Sequence, residues 1–198
     1  MPRDKRIRVE QAERHVEVLL SRPDRLNALD AIMRDELVCA LRAIIADPDP
    51  VTVCLFGEGS SFCSGGDLDE FGSTPTGGSG HLLRLNRNLP SLLREMSDRL
   101  IVGVHGFCIG AGIELAAFAG RVVAADDSRF RLPEVQMGLV PGSGGTVSIP
   151  RRVGRPRALW LMVTGTEIDA ATARNWGLVD EVVPASELRS RVRNEVRA

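Results

Sequence analysis

Tyrosine is absent from this 198-residue chain, which carries only two tryptophans and six phenylalanines. Stacking platforms for single-stranded nucleic acid or for sugars need such rings, so both ligand classes are poorly served. An excess of one charge is lacking too. With 25 Lys and Arg against 26 Asp and Glu, the net charge is −1, and nothing draws the chain onto a phosphate backbone or an anionic membrane surface. No CxxC pair occurs among Cys39, Cys54, Cys63 and Cys108. That pattern fits neither a zinc site nor a small disulfide scaffold, and points to buried free thiols in a reducing cytoplasm. The opening segment MPRDKRIRVE has no apolar core for a signal peptide. Residues 101–120 are apolar enough to imitate a membrane span, but His105, Glu114 and five glycines inside them argue for a strand, a turn and a helix. Neither a nucleic acid nor a membrane is expected as a partner.

Several catalytic signatures are also missing. The dinucleotide pattern GxGxxG fails, because Phe62 and Leu115 stand where its third glycine is required. No Gly-Lys-Ser/Thr exists for a P-loop. Ser64 and Ser143 lack the GxSxG elbow, since Phe62 and Pro141 occupy the first glycine position. His15, His81 and His105 are scattered and Cys63 has no basic neighbour, so no metal site and no thiolate nucleophile is called for.

What is abundant is glycine, 20 residues of it, within a chain that is 43% hydrophobic. At about 100–200 residues per domain, the length suits one compact unit. Val51-Thr-Val-Cys-Leu-Phe and Ile101-Val-Gly-Val read as buried strands, each followed by a glycine-rich turn, and Arg121-Val-Val-Ala-Ala begins a third strand. His15 to Leu20 alternates and then turns wholly apolar, as in a strand entering a core. From Leu29 the apolar positions follow helical spacing for about 17 residues, until Asp47-Pro-Asp-Pro ends the run. Further helices are expected over residues 113–119, 157–163 and 170–176, a strand over 178–183, and a last helix capped by Ser186 with Leu188, Val192 and Val196 on one stripe. Residues 72–80, GSTPTGGSG, are too poor in apolar side chains to pack and read as a surface loop. Alternation of strands and helices implies an α/β fold with largely parallel pairing.

The turns Ser64-Gly65-Gly66-Asp67 and Gly110-Ala111-Gly112 could each aim one backbone N–H at a polarised oxygen, since no Cβ keeps a ligand away. Glu114 lies among glycines and apolar residues, where a carboxylate is costly and its pKa rises. It could alternatively be a carboxylate capping a helix dipole. Glu134 is a second carboxylate in a mainly apolar segment. Two such acids beside two donor-rich turns are the elements of acid/base chemistry on a carbonyl compound.

At five ordered blocks the chain resembles the enoyl-CoA hydratase/isomerase (crotonase) family: Arg22-Pro-Asp-Arg-Leu-Asn-Ala-Leu, Ser61-Phe-Cys-Ser-Gly-Gly-Asp-Leu, Gly106-Phe-Cys-Ile-Gly-Ala-Gly-Ile-Glu-Leu-Ala, the run 130–146 and the run 164–173. The resemblance covers residues 16–184. It implies a spiral of repeated ββα units as a core domain over residues 1–184, with residues 185–198 as a short C-terminal helix. Compared with typical members, a C-terminal helical subdomain is expected to be largely missing. The family resemblance implies trimers or paired trimers that bind acyl-CoA thioesters, with coenzyme A carried in on the substrate and no separate cofactor. In that analogy the thioester carbonyl accepts from the N–H groups of Gly66 and Ala111. Glu114 orients and deprotonates water, and Glu134 exchanges the α-carbon proton. Arg25, Asn27 and Ala28 fall where the nucleotide is held, and Ser64, Gly65, Asp67, Leu68 and Gly110 complete the implied substrate contacts. Having both glutamates favours hydration of a 2-enoyl-CoA. A double-bond isomerase, another enolate-forming enzyme and a non-catalytic acyl-CoA-binding subunit are the alternatives. Asp69 stands where the family usually has a basic residue, and Ala119-Gly120 replaces a common Cys-Asp pair.

Overall fold

The computed structural model describes residues 5–49, 51–70 and 88–196. The loop expected at 72–80, and His81 with Leu82, Leu83 and Leu85, lie outside the described residues. A six-stranded sheet has the order β1 (Ile7–Gln11), β2 (His15–Leu20), β3 (Thr52–Gly57), β4 (Leu100–Val104), β6 (Arg121–Ala125) and β9 (Glu181–Val183). Only the β1/β2 pair is antiparallel; the other four pairings are parallel. β1 is absent from the sequence reading because it is an edge strand with one buried residue, Ile7, and four exposed ones. The apolar runs of β2, β3 and β4 are buried almost throughout, as strands covered on both faces must be.

A second, three-stranded sheet holds β5 (Phe107–Ile109), β7 (Arg129–Arg131) and β8 (Ile168–Asp169). Each long strand therefore turns a corner into a short one: β4 into β5, β6 into β7. β3 does the same through Cys63, which bridges to Cys108. A helix or 3-10 turn follows each corner, giving the repeated ββα spiral. The sequence shows the long strands but hides β5, since three residues between Gly106 and Gly110 look like part of a glycine turn.

The helices are α1 (Ala31–Ala46), α2 (Leu89–Glu95), α3 (Ala111–Ala116), α4 (Gly145–Val153), α5 (Arg155–Thr164), α6 (Ala170–Trp176) and α7 (Leu188–Glu195). In α1 the Asp30 side chain accepts from the Met33 N–H, and Met33, Leu37, Val38, Leu41 and Ile44 form the buried face. Ser186 does not cap α7. It lies in a 3-10 turn, Ala185–Glu187, and the N-cap position is taken by Glu187 without a side-chain bond. Among the described residues, no helix is long and apolar enough to cross a membrane. Cys54, Cys63 and Cys108 are buried, whereas Cys39 is exposed on α1.

Two apolar clusters flank the long sheet. The larger one unites α1, α3, α4 and α5 with the small sheet. The smaller covers the opposite face, where Leu188 and Val192 of α7 pack on Leu19, Phe56, Ile101 and Val123. Arg193 fastens the helix there by donating from Nε and Nη2 to the two Glu17 carboxylate oxygens, at 2.6 and 3.0 Å. Replacing Leu188 with Ala should cost about 2–5 kcal/mol, read from urea unfolding. A loss below about 1 kcal/mol would show that α7 is not docked on the sheet.

Candidate active site

The two glycine turns foreseen from the sequence lie back to back. Cys63 N–H donates to Phe107 O at 3.0 Å, and Ile109 N–H donates to Cys63 O at 2.9 Å. That bridge carries Gly65 against Gly110: a methyl group built on Gly110 would stand 3.8 Å from Gly65 Cα, and one on Gly65 would stand 3.9 Å from Ala111 N.

In each turn the carbonyl is pinned. Gly65 O accepts from Leu29 N–H at 2.7 Å, and Gly110 O accepts from Glu114 N–H at 3.1 Å. A trans peptide points its N–H opposite its C=O, so the Gly66 and Ala111 N–H groups are turned away from these partners. Neither has an acceptor among the described residues. Two unengaged amide donors on adjoining turns are what an oxyanion hole requires.

Glu114 is the buried acid of this site, 2% exposed on α3. No cation meets it. Its Oε2 accepts from the N–H groups of Ser143 and Gly145, both at 2.7 Å, where α4 begins. The carboxylate thus answers orphan amides of the next helix rather than those of its own. Gly145 is required here, because a Cβ at this position would stand 2.6 Å from Glu114 Cγ. Burial raises the Glu114 pKa to about 7, the Gly145 amide opposes the rise, and the nearby Glu134 charge adds to it.

Glu134 opens the 3-10 turn Glu134–Met137, directly after Pro133. Its Oε1 faces Gly110, where a Cβ would approach to 2.7 Å, and φ at Gly110 is +50°, so a side chain there meets both strain and contact. Its Oε2 is buried with no hydrogen-bond partner among the described residues. Burial pushes this acid upward as well.

The remaining expected contacts divide. Leu68 is 65% exposed. Ser64 lies on the turn itself, and its N–H donates to Leu26 O. Three residues turn inward instead. Asn27 is fully buried; its Nδ2 donates to Glu58 O and Ser61 O, and its Oδ1 accepts from Arg22 N–H. Asp67 is bound by Arg22 at 2.6 Å, which holds its carboxyl below the usual range. Ala28 O accepts from the same guanidinium. Arg25 is exposed but donates to Asp69 at 2.8 Å, so the acid noted in the sequence neutralises the cation expected to meet phosphate. Sequence reasoning missed the Ser143 and Gly145 amides and Arg22. The signal for the amides was the glycine cluster Pro141-Gly-Ser-Gly-Gly-Thr.

Comparison with known proteins decides the family. Residues 11–198 match the model of the enoyl-CoA hydratase/isomerase family. The chain belongs to that family. It is 35% identical to the 2,3-dehydroadipyl-CoA hydratase of Escherichia coli over 181 residues, 89% of this chain and 69% of that protein. It is 34% identical to the 1,2-epoxyphenylacetyl-CoA isomerase of the same organism, over 83% of this chain and 64% of that one. The crystal structure of an enoyl-CoA hydratase from Bacillus anthracis superposes with a TM-score of 0.89 at 30% identity, covering 97% of this chain and 75% of that one. The fold is therefore the crotonase spiral, in a hydratase-like member that spans about two thirds of the length of its curated relatives.

Burial of Glu114 makes stability depend on pH with a definite sign. Its pKa is raised in the folded chain, from 4.5 to about 7, so folding takes up a proton in that window. Stability is fully present below about pH 4.5, falls as pH rises, and levels off above about 7, an effect of about 3 kcal/mol. Glu114→Gln should flatten this slope, as read by urea unfolding at pH 5, 6 and 7.5. Parallel slopes in the two proteins would show that the acid is not desolvated.

Proposed function

We propose that the chain adds water across the 2,3 double bond of an enoyl-CoA thioester. The observation that carries this reading is the pair of raised glutamates set against two unengaged amide donors. The thioester oxygen would sit between the Gly66 and Ala111 N–H groups. Addition at the β-carbon moves charge onto that oxygen, and two preorganised donors stabilise it by about 3–4 kcal/mol each. Two acids of like charge in one buried site favour a state with one proton between them. With that proton on Glu134, Glu114 takes a proton from water as the water oxygen bonds to the β-carbon, and Glu134 delivers its proton to the α-carbon. The net change is the elements of water added to the double bond. This chemistry requires no cofactor beyond the coenzyme A of the substrate.

The relative named as an isomerase supports a second reading, in which Glu134 alone moves a proton between two carbons. A non-catalytic acyl-CoA-binding subunit is the third. Pure protein should convert a short- or medium-chain 2-enoyl-CoA to the 3-hydroxyacyl-CoA, and Glu114→Gln and Glu134→Gln should each lower that rate by about 10²–10⁴-fold. No 3-hydroxyacyl-CoA from any such thioester would sink the hydratase reading. A 2-enoyl product from a 3-enoyl-CoA, without hydration, would favour the isomerase.

The same proposal places the protein in the cytoplasm as a homotrimer or hexamer. Exposed apolar side chains support the assembly: Leu159 and Val163, one turn apart on α5, are 63% and 60% exposed with Trp160 also exposed on that helix, and Val140 is 74% exposed. Faces of this kind in soluble proteins mark interaction sites. Leu159→Asp should shift the protein toward monomer in light scattering, and a wild-type monomer would overturn the assembly.

A further inference from the structure

We propose that Arg22 is a positioning residue that sets the direction of the Gly66 N–H, an inference that rests on the oxyanion role proposed above. The peptide between Gly65 and Gly66 is the hardest in the site to hold. Neither residue has a side chain, φ at Gly65 is +105°, and glycine peptides rotate with little steric resistance. Its direct tether is the hydrogen bond from Leu29 N–H to Gly65 O.

Arg22 closes a bracket around that tether. Its Nη1 donates to Ala28 O at 3.0 Å and to Asp67 Oδ2 at 2.6 Å. Ala28 immediately precedes Leu29, and Asp67 immediately follows Gly66. One guanidinium therefore grips the residue before the tether's donor and the residue after its peptide. Asp67 N–H returns to Leu29 O at 3.2 Å, which completes the loop. Arg22 is itself held. Its N–H donates to Asn27 Oδ1, and its carbonyl accepts from the Arg25 and Asn27 N–H groups. Its side chain is 14% exposed and lies 3.4 Å from Asp30 Oδ2. A lysine ammonium can meet Asp67, but its freely rotating donors lack the fixed planar pair of N–H bonds with which Nη1 meets both acceptors.

The test uses Arg22→Met, Arg22→Lys and Asp67→Asn, each read in two ways. Steady-state hydration should show kcat lowered by about 10- to 100-fold in Arg22→Met, the scale of a donor misplaced by about 1 Å, with KM within about threefold because ground-state binding is kept. Arg22→Lys should recover part of the loss, and Asp67→Asn should resemble Arg22→Met. The Gly66 amide resonance of ligand-free protein should shift and broaden in Arg22→Met and Asp67→Asn, while Val123 in the long sheet keeps its position. A folded Arg22→Met with wild-type kcat and an unmoved Gly66 resonance overturns the proposal. Should that variant fail to fold, Asp67→Asn decides on the same two readouts. If wild type hydrates no thioester, the hydratase reading falls, and the ligand-free resonance alone still decides the role of Arg22.

Discussion

A peptide group can offer only one of its two ends to a ligand, and at this site the carbonyl end is the one held by the protein. Leu29 N–H on Gly65 O and Glu114 N–H on Gly110 O leave the opposite ends, the Gly66 and Ala111 N–H groups, without an acceptor among the described residues. The geometry is available because β5 runs beside the chain segment at Cys63, which brings two turns 45 residues apart in sequence into contact. Preorganisation of this kind places donors before charge develops, so no reorganisation is required at the moment of reaction.

The acids follow from the same framework. Among the described residues Glu114 has no cation to neutralise it, and its partners are main-chain amides at the start of α4. These amides favour the charged form, but burial outweighs them and holds the pKa at about 7, so near neutral pH the group can both take and return a proton. Ser148 Oγ donates to Glu114 O, so α4 fixes the backbone of this residue as well as its carboxylate. Glu134 differs. One of its oxygens is buried without a hydrogen-bond partner among the described residues, and desolvation alone dominates its shift. The pair is thus built from unlike environments, which is the condition for unlike roles.

Much of this was legible in the residues themselves. Apolar runs marked β2, β3, β4 and β6, helical spacing marked α1, and Glu114 stood out because carboxylates seldom sit among glycines and apolar side chains. What escaped was non-local or very short. β5, β7 and β8 have two or three residues each, too few to show a period of two. Asn27 and Asp67 looked like ligand contacts because polar residues beside a glycine turn do; most of their partners lie 31 to 45 residues away and are visible only once the chain is folded. The roles of Arg22 and of the amides on Glu114 are of the same kind, since no local pattern announces a bond across 29 or more residues.

The clamp between Glu17 and Arg193 spans 176 residues of chain. During synthesis the outer surface of the long sheet must wait, uncovered, until the ribosome has released α7. Domains fold as they emerge, and exposed apolar surface on a nascent intermediate invites aggregation. The vulnerable species is therefore a chain made as far as β9, whose larger apolar cluster is already assembled while the opposite face of the long sheet stays bare until α7 emerges.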